Sequence, residues 1–493
     1  MGIYNYLKFA GVRLLLLFVF CINTFELLGN NNQRVIVLTD IEADPDDTQS
    51  LIRLLLYSNQ IDVKGLIAVT STHLKNNIYP ESINRVIEAY KKVRPNLLKH
   101  ESNYPSSDYL YSCVKKGVPV YGMQGVGDDF TSEGSEWIIK ELQVNDDRPL
   151  WISVWGGANV LAQALYDIQK RFSEAQANEL ICKLRVYSIS DQDDAGIWIR
   201  NKFPSLFYIV SPGGRYGSAT WPGINDVVKG LDNSCVSNKW ILDNIQQGHG
   251  PLGAAYPDVA WGMEGDTPAF LSLIPNGLSV PEKPNWGGWG GRYELYTPVY
   301  CPGGENIGNV PDEPETRPIW TNASDTFFRY VYNPYGRSIR KDSLCFSGNR
   351  ASLYRWREDF QNDFAARMDW CVKDYAAANH PPVVKLSHSS KIDVVSGEYC
   401  VLNAAKSYDP DGDHLSFLWF SYKEAGTCKS AVKLFEPENV YKVAFIAPEV
   451  DQDETIHIIL RVTDHGYPAL SRYQRVIICV HPRKSVSYTH LTL

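Results

Sequence analysis

The sequence predicts an α/β protein, in which a doubly wound, mostly parallel sheet is followed by a small all-β sandwich. In the first half, short apolar segments rich in β-branched residues alternate with segments of helical spacing, as in a parallel sheet that is covered on both faces. Toward the end, alternating apolar and polar residues recur between turn signals. A chain of 493 residues, 44% of them hydrophobic, is long enough for two or three domains.

The parallel sheet is predicted from a succession of buried strands and amphipathic helices. The strands are predicted at residues 34–39, 63–70, 149–154, 184–189 and 206–210. The helices are predicted at residues 50–57, 80–93 and 160–169. Because parallel neighbours joined through helices cross over with a right hand, this order predicts a doubly wound sheet.

The second half of the chain changes character twice. Residues 221–318 are dense in Gly, Pro, Trp and Tyr, which predicts long ordered loops around a site. Residues 350–377 have the pattern of a closing helix, and the Asn-His-Pro-Pro segment at 379–382 is typical of a linker. We therefore expect the α/β domain to span residues 34–377 and the β-sandwich to span residues 383–482.

The β-sandwich is predicted from strands at residues 391–395, 399–403, 415–422, 440–446 and 457–462. Between the second and third of these lies Asp-Pro-Asp-Gly-Asp at 409–413. This segment could hold calcium, but Asp, Pro and Gly also form turns that need no metal, and the turn is the favoured interpretation. Residues 483–493 continue no pattern and are expected to be an unstructured tail.

The first 29 residues have the pattern of a signal peptide. Basic Lys8 and Arg13 precede an apolar run at residues 14–22, and a polar segment follows. The run is shorter than the roughly 20 residues that a membrane-spanning helix needs. We therefore expect a secreted or periplasmic protein with no stable membrane insertion after cleavage.

The overall composition excludes some partners and leaves others open. A net charge of −8 without a long basic run argues against nucleic acid, because phosphate binding needs a basic face. The cysteines are scattered without a C-x-x-C pair, which argues against zinc and predicts buried thiols with room for one or two disulfides. Aromatic residues in Gly-rich segments suit a small-molecule glycoside or a carbohydrate polymer, and a homo-oligomer is compatible with the sequence.

The strongest local signal is an acidic loop at residues 40–47, which holds five carboxylates in eight residues. It directly follows the first predicted strand, and ligands of parallel α/β sheets bind at that end of the strands. So many negative charges repel one another in a partly buried site, and a hard cation relieves the conflict. Carboxylates on a flexible loop suit Ca²⁺ better than Mg²⁺. The alternative is a solvated turn with a helix N-cap at Asp46 or Asp47.

This loop carries a family resemblance. A strand, an Asp and a Pro-containing loop that ends in Asp-Asp before a helix are similar to the signature of inosine-uridine-preferring nucleoside hydrolases, which are calcium-dependent N-ribosyl hydrolases. The chain more fully resembles the nucleoside-hydrolase-like domain of bacterial cellulose-binding-type proteins, over residues 34 to 375, and this resemblance implies a C-terminal Ig-like β-sandwich. The matching motifs are T-D-I-E-A-D-P-D-D from Thr39, W-G-G-A-N from Trp155, S-I-S-D-Q-D-D-A-G from Ser188 and W-G-G-W-G-G-R from Trp286.

The resemblance implies roles for the acidic residues. Asp47 would chelate calcium, Asp46 would ligate the metal and bind sugar hydroxyls, and Asp40 would both ligate the metal and act as general base. An alignment without gaps places Glu42, not Asp40, at the position of the family's first metal-binding aspartate. Both residues remain candidates for the general base. Ala158 would offer its backbone carbonyl to the metal. Asp266 would be a late metal ligand, although an N-cap explains it nearly as well.

A further set of residues is expected to contact the substrate. Asn159, Asp191, Gln192 and Asp193 follow predicted strands and would bind sugar hydroxyls, while Trp286, Trp289 and Arg292 would stack on a sugar ring or cover the sheet. No histidine stands beside Asp266 to protonate a leaving group. The sequence therefore predicts a metal-dependent hydrolase of N- or O-glycosyl bonds in a glycoside or nucleoside-like substrate. The alternative is a non-catalytic polysaccharide-binding protein that retains the metal site.

Overall fold

The structure is a computed structural model that describes residues 32–300, 306–307, 310, 313–333, 338–435, 438 and 440–483. The predicted signal peptide at residues 1–29 lies outside the described residues. So does the predicted tail from residue 484 onward.

A central eight-stranded sheet organises the first part of the chain, with the order β3-β2-β1-β4-β5-β6-β8-β7. Neighbouring strands run parallel except for the pair of β7 and β8. The strands are β1 Gln33–Thr39, β2 Ile61–Ala68, β3 Val114–Lys116, β4 Leu150–Val154, β5 Leu184–Ser190, β6 Phe207–Ser211, β7 Tyr293–Tyr296 and β8 Ile319–Asn322.

Helices cover both faces of this sheet. They are α1 Asp46–Leu56, α2 Pro80–His100, α3 Ser107–Cys113, α4 Glu133–Gln143, α5 Asn159–Arg171, α6 Glu174–Ile181, α7 Ala195–Lys202, α8 Asn238–Ile241, α9 Gly250–Ala254, α10 Pro268–Leu271, α11 Ala351–Tyr354 and α12 Arg357–Asp369. In β1, Val35 and Val37 join the core on the α1 and α2 side. Ile36 and Leu38 join the core on the α4 and α5 side. This alternation confirms the predicted doubly wound α/β fold.

For the middle of the chain, one prediction is wrong in detail and one element was not predicted. The expected closing helix at 350–377 is divided into α11, α12 and a 3₁₀ turn at Tyr375–Ala377. The break falls at Arg355 and Trp356, where Arg355 donates to Asp325 over 2.9 Å and lies over the ring of Tyr422. A two-stranded sheet that was not predicted, β9 Asp325–Asn333 and β10 Ser338–Gly348, precedes α11.

Small β-sheets form the C-terminal part, as predicted. One has the order β11-β16-β15-β13, and β12 pairs with β14 in the other. The strands are β11 Lys391–Val395, β12 Tyr399–Asn403, β13 Leu415–Ser421, β14 Lys442–Ile446, β15 Glu454–Asp464 and β16 Ser471–His481. The sheets share an apolar core that contains Trp419, Phe445 and Leu460. The exact limits of the two domains stay a prediction.

The two parts of the chain share an interface. Tyr422 and Tyr473 belong to the larger core of the α/β part. The backbone N–H of Tyr473 donates to Asn276 O over 2.9 Å, and that of Arg475 donates to Gly277 O over 3.2 Å. The strand β16, absent from the predicted elements, therefore holds the segment that follows α10.

The described cysteines and helices bear on two further expectations. Among the residues that the structure describes, the expected one or two disulfides do not form. The free thiols are Cys113, Cys182, Cys235, Cys345, Cys371, Cys400, Cys428 and Cys479. Within the same residues, no helix has both the length and the apolar character that crossing a membrane requires.

Candidate functional site

The acidic loop lies where β1 ends and α1 begins. Leu38 pairs with Val154, so the loop after β1 and the Trp-Gly-Gly segment after β4 emerge at the same edge of the sheet. Asp44 Oδ1 accepts a hydrogen bond from the backbone N–H of Asp46 over 3.0 Å, and α1 begins at Asp46. Asp46 and Asp47 therefore lie in the first turn of α1, where the helix dipole favours negative charge, and not at the N-cap position.

Three carboxylates converge at this edge. Asp46, Asp47 and Asp266 each offer an oxygen atom, and these atoms all lie within 4.8 Å of one another. Asp47 and Asp266 are buried, with 3% and 2% of their surfaces exposed, whereas Asp46 is half-buried. Asp266 precedes the N-cap residue of α10, which is Thr267, so the N-cap alternative does not account for its side chain. The loop after β1 and the segment before α10 thus form one acidic cluster.

The cluster is electrostatically unfavourable without a cation. Burial, and then the charges of the neighbouring carboxylates, raise the pKa of Asp47 and of Asp266 well above the usual range of an aspartate. Burial also raises the pKa of Asp40 to about 7, against hydrogen bonds that lower it. Asp266 Oδ2 is buried and accepts no hydrogen bond from the described residues. A hard divalent cation would neutralise these charges and use this unpartnered oxygen, so the residues fit a Ca²⁺ site.

Glycines let the carboxylates approach the backbone. A Cβ atom added to Gly156 would lie 2.6 Å from Asp40 Oδ1, and one added to Gly265 would lie 2.6 Å from Asp46 Oδ2. Asp47 is held from the other side, because the hydroxyl of Thr39 donates to its Oδ1. The W-G-G-A-N motif and the E-G-D-T-P segment at residues 264–268 therefore supply space for the carboxylates as well as polar groups.

Asp40 and Glu42, the two candidates for the first metal-binding position, have side chains that point in different directions. Asp40 is buried beside the cluster, and its charge contributes to the raised pKa of Asp47 and Asp266. Glu42 has a positive φ of 83°, and its side chain is 43% exposed. Its Oε1 accepts from Ser82 and Arg85 of α2, both over 2.5 Å. The geometry therefore brings Asp40, and not Glu42, to the cluster.

The Ala-Asn pair after β4 is engaged in local structure. The carbonyl oxygen of Ala158 accepts from the backbone N–H of Ala162 over 3.0 Å in the first turn of α5. The side-chain amide of Asn159 donates to Val120 O over 2.8 Å and to Thr70 Oγ1 over 3.2 Å. The structure thus gives the Ala158 carbonyl a helical role, and a metal would have to share this oxygen.

The Asp-Gln-Asp segment after β5 anchors neighbouring loops. Asp191 forms a buried ion pair with Arg200, in which the N–O distances are 2.8 and 2.9 Å. Gln192 donates to Trp155 O over 2.5 Å. Asp193 accepts from the backbone N–H groups of Asn159 and Ala195, over 3.1 and 3.0 Å. These bonds occupy most of the polar atoms that were expected to face a sugar.

The Trp-Gly-rich segment contacts the C-terminal sheets and the start of β9. Trp289 is fully buried and donates to the hydroxyl of Tyr473 over 3.3 Å. Trp286 packs edge-on against His457, with ring centroids 4.7 Å apart. Arg292 donates to Asp325 over 2.6 Å. Among the described residues, none of these three side chains contacts the acidic cluster. Their packing agrees with the alternative that they cover the sheet.

Aromatic residues that the sequence analysis missed lie beside the cluster. His73 follows the end of β2, and its Nε2 lies 3.1 Å from the hydroxyl oxygen of Tyr216, which follows β6. Burial, and then the charges of Asp40 and Asp266, raise the pKa of Tyr216. Trp221 packs edge-on against Tyr216, with centroids 5.3 Å apart. The position of these residues shortly after strand ends is the signal that could have revealed them.

Comparisons with known proteins agree with this architecture. Residues 34–293 match the family described as "Cellulose-binding Sde182, nucleoside hydrolase-like domain", and residues 400–480 match "Cellulose-binding protein Sde0182, C-terminal domain". No protein of curated function matches the sequence.

Two solved structures illustrate the range of similarity. A nucleoside hydrolase-related hypothetical protein from Saccharophagus degradans, described as associated with carbohydrate metabolism, is 34% identical. The match covers 92% of this chain and 100% of that one, with a TM-score of 0.75. The PKD domain of the KIAA 1837 protein is 16% identical over 21% of this chain and 92% of that one, with a TM-score of 0.16, and this likeness carries no argument.

Proposed function

The chain belongs to the family of cellulose-binding Sde182 proteins with a nucleoside hydrolase-like domain, and from this membership we propose that it is an exported, calcium-dependent hydrolase of glycosyl bonds. The substrate would be a glycoside or a nucleoside-like compound, met in the periplasm or outside the cell. The observation that carries the proposal is the cluster of half-buried Asp46 with buried Asp47 and Asp266 at the carboxyl end of the parallel sheet, with Asp40 beside it.

The residues of the cluster suit hydrolysis at an anomeric carbon. Asp47, Asp266 and Asp40 would hold the cation, which would supply positive charge and make a nearby water molecule more acidic. Asp40 would accept the proton of the attacking water on its carboxylate. Since the transition state of glycosyl hydrolysis resembles an oxocarbenium ion, the remaining negative charge of the cluster would stabilise it. The half-buried Asp46 would bind sugar hydroxyls.

The aromatic residues beside the cluster suit a sugar ligand. His73 follows β2, whereas Tyr216 and Trp221 both follow β6, and the three meet next to Asp40 and Asp266. Aromatic faces stack on the apolar faces of sugar rings, and the Tyr216 hydroxyl can donate to a ring substituent. These side chains take over the role that the sequence analysis gave to the Trp-Gly-rich segment.

The test combines metal analysis with activity. The wild type and Asp47→Asn would be assayed for bound Ca²⁺ and for release of reducing sugar from nucleosides, aryl glycosides and plant-wall oligosaccharides. We expect Asp47→Asn to lose Ca²⁺ from this site and to lower turnover by about 100-fold or more, as loss of a group that stabilises charge in a transition state does. Asp108→Asn, which changes an exposed carboxylate in the first turn of α3, is the matched control. Full activity in Asp47→Asn would contradict the proposal.

A second candidate function is favoured by a cavity elsewhere. A space of about 1080 Å³ lies between the β9–β10 sheet and the C-terminal sheets. Its lining includes the aromatic residues Phe327, Phe328, Tyr330, Tyr354, Trp356 and Phe420. The Nε1 of Trp356 is buried there without an acceptor among the described residues. A polysaccharide-binding protein that has lost turnover would use such a surface.

Polymer binding separates the two functions. Under the binding hypothesis, Phe328→Ala and Tyr330→Ala weaken retention on insoluble cellulose, and no substrate of the panel is cleaved. If cleavage is observed and depends on Asp47, the hydrolase proposal stands whatever the cavity binds.

A further inference from the structure

A second group of carboxylates lies at the junction between the two parts of the chain. Asp409, Asp411 and Asp413 occupy the loop between β12 and β13, and each offers an oxygen within 4.8 Å of the others. Asp409 Oδ1 accepts from the backbone N–H groups of Asp411 and Asp413, over 2.9 and 3.0 Å. A turn of this kind forms without a ligand, so the loop alone does not indicate a metal.

A buried carboxylate outside the loop provides an independent observation. Asp464, at the end of β15, is 1% exposed. Its Oδ1 accepts from Asn379 Nδ2 over 3.0 Å and from the backbone N–H groups of Gly466 and Leu470 over 3.1 and 2.9 Å. Its Oδ2 is buried and has no hydrogen-bond partner in the described part of the chain. A buried carboxylate oxygen without a donor is costly and points to a cation.

Two further oxygen atoms are also buried without a hydrogen-bond partner among the described residues. Asn379 is 6% exposed, and its Oδ1 lacks a partner among the described residues, as does Asp409 Oδ2. The Asn379 amide nitrogen donates to Asp464 and, over 2.8 Å, to Pro468 O. These two hydrogen bonds fix the side chain, and the amide oxygen takes part in neither of them. Three unpartnered oxygens thus belong to Asn379, Asp409 and Asp464, and each could accept a cation.

Neighbouring residues of the linker bring these groups together. Asn379 binds Asp464, and the next residue, His380, donates from its backbone N–H to Asp411 Oδ2 over 2.7 Å. The loop at 409–413 and the end of β15 therefore meet at the same two linker residues. In agreement, burial raises the pKa of Asp464 to about 6, and the charge of Asp409 contributes to this rise.

We propose that Asp409, Asp413, Asp464 and Asn379 form a calcium site that fixes the linker to the C-terminal sheets. All the ligand atoms are oxygens of carboxylates or of an amide, which are hard donors, and they come from two loops and a strand end. Such a set suits Ca²⁺, which tolerates irregular geometry, better than Mg²⁺, which demands a near-ideal octahedron. Asp411 adds its charge while its oxygens bind His380.

The site would also orient the C-terminal sheets relative to the α/β part. The Nε2 of His380 lies 2.9 Å from the Nδ1 of His100, which is the last residue of α2. The His380 ring stacks on Tyr375 with centroids 3.8 Å apart and on Trp370 with centroids 5.1 Å apart. A cation bound by Asn379 would therefore immobilise a linker that already contacts both parts.

The test measures Ca²⁺ per chain by equilibrium dialysis and follows thermal unfolding of the full chain with Ca²⁺, with Mg²⁺ and with chelator. We expect Asp413→Asn to bind one Ca²⁺ fewer than the wild type and to lose part of the calcium-dependent rise in Tm. Asp451→Asn, which removes an exposed charge from another loop of the same sheets, should keep both. Wild-type calcium content and an undiminished Tm rise in Asp413→Asn would overturn the proposal.

Two further variants make the result specific. Asp464→Asn retains an oxygen that can accept the three hydrogen bonds of Asp464 Oδ1, and we expect it to lose the same Ca²⁺. Should it fail to fold, Asp413→Asn in the loop still decides the question. Asp47→Asn separates this site from the acidic cluster of the α/β part, because the Ca²⁺ that depends on Asp413 should remain in it. A loss of calcium in Asp47→Asn with none in Asp413→Asn would refute the linker site and leave the proposed function intact.

Discussion

His73 and Tyr216 join the segments that follow β2 and β6 through a contact of 3.1 Å between Nε2 and the hydroxyl oxygen. Asp44, near the imidazole, opposes the lowering of the pKa of His73 that burial causes. The His73 and Tyr216 side chains therefore present both aromatic faces and polar atoms beside the acidic cluster. Neither residue belongs to a motif that the sequence analysis recognised, which makes their contribution to substrate binding a direct test of the geometry.

Removing the Tyr216 hydroxyl is the first prediction. A hydrogen bond between neutral groups contributes about 0.5–1.5 kcal/mol, so we expect Tyr216→Phe to lower kcat/KM by about 2- to 10-fold on the substrate identified in the panel. Tyr166→Phe is the control, because the Tyr166 hydroxyl donates to Asp128 on an exposed surface over 2.6 Å. Equal kcat/KM for the two variants would argue against a role for Tyr216.

The second prediction concerns space beside Asp40. Gly156→Ala places a Cβ where only 2.6 Å separates it from Asp40 Oδ1, so the carboxylate must move. We expect a loss of stability of about 1–3 kcal/mol, as for overpacking of a core, together with weaker Ca²⁺ binding. Gly217→Ala is the control, since its Cβ meets nothing within 4 Å. Urea unfolding and calcium titration measure the two effects, and unchanged calcium affinity in Gly156→Ala would contradict the expectation.

The pH dependence of the calcium-free protein gives the third prediction. Burial raises the pKa of Asp40 to about 7 in the folded state, above the value of about 4 for an unfolded aspartate. The folded state therefore binds the proton more tightly, and this contribution to stability is present below pH 4 and lost as the pH rises through 7. With chelator, the stability of the wild type relative to Asp40→Asn should fall between pH 4 and 7.

Calcium should reverse this trend, because the cation binds the ionised carboxylates and its affinity increases as they lose their protons. Thermal unfolding of both proteins across this pH range, with and without Ca²⁺, provides the measurement. A stability difference that does not change with pH in chelator would show that Asp40 does not titrate in this range.

The fourth prediction concerns a buried ion pair that supports Asp266. Arg53 Nε lies 2.5 Å from Glu264 Oε2, and both side chains are fully buried. Glu264 has a positive φ of 51° and accepts from Thr267 over 3.0 Å, so it shapes the turn that carries Asp266. Arg53→Met should cost about 3–5 kcal/mol, because it leaves a buried carboxylate unpaired.

The control for this variant is an exposed ion pair. Lys99 lies 2.6 Å from Asp374 with both side chains more than half exposed, and Lys99→Met should cost at most about 1 kcal/mol. The free energy of unfolding in urea compares the two. Comparable small losses would mean that the Arg53 pair is not needed to hold the turn.

Local pattern predicted five strands of the central sheet, β1, β2, β4, β5 and β6, but it missed the short strands β3, β7 and β8. Buried strands such as β1 are continuous apolar runs, and the acidic loop is conspicuous because its carboxylates directly follow such a run. The strand β16 was missed, although its sequence alternates. The edge-on contact of Trp289 with Tyr473 joins residues far apart in the chain, and no local pattern encodes it.

The candidate site divides in the same way. Asp40, Asp46 and Asp47 stand in one motif, so sequence could group them. Asp266 could be matched only through a family resemblance, because its place depends on how α10 packs. Asp191 pairs with Arg200, nine residues further along the chain, and Arg292 pairs with the more distant Asp325, and periodicity reveals neither ion pair.

The shared core has a consequence for how the protein is made. Tyr422 and Tyr473 complete the apolar cluster of the α/β part, but the ribosome adds them after nearly all the other members of that cluster. Until β16 has been synthesised, Trp289 lacks the ring that covers it and Asn276 lacks its backbone partner. We therefore expect a chain cut short at the linker to expose this apolar surface and to aggregate more readily than the full chain.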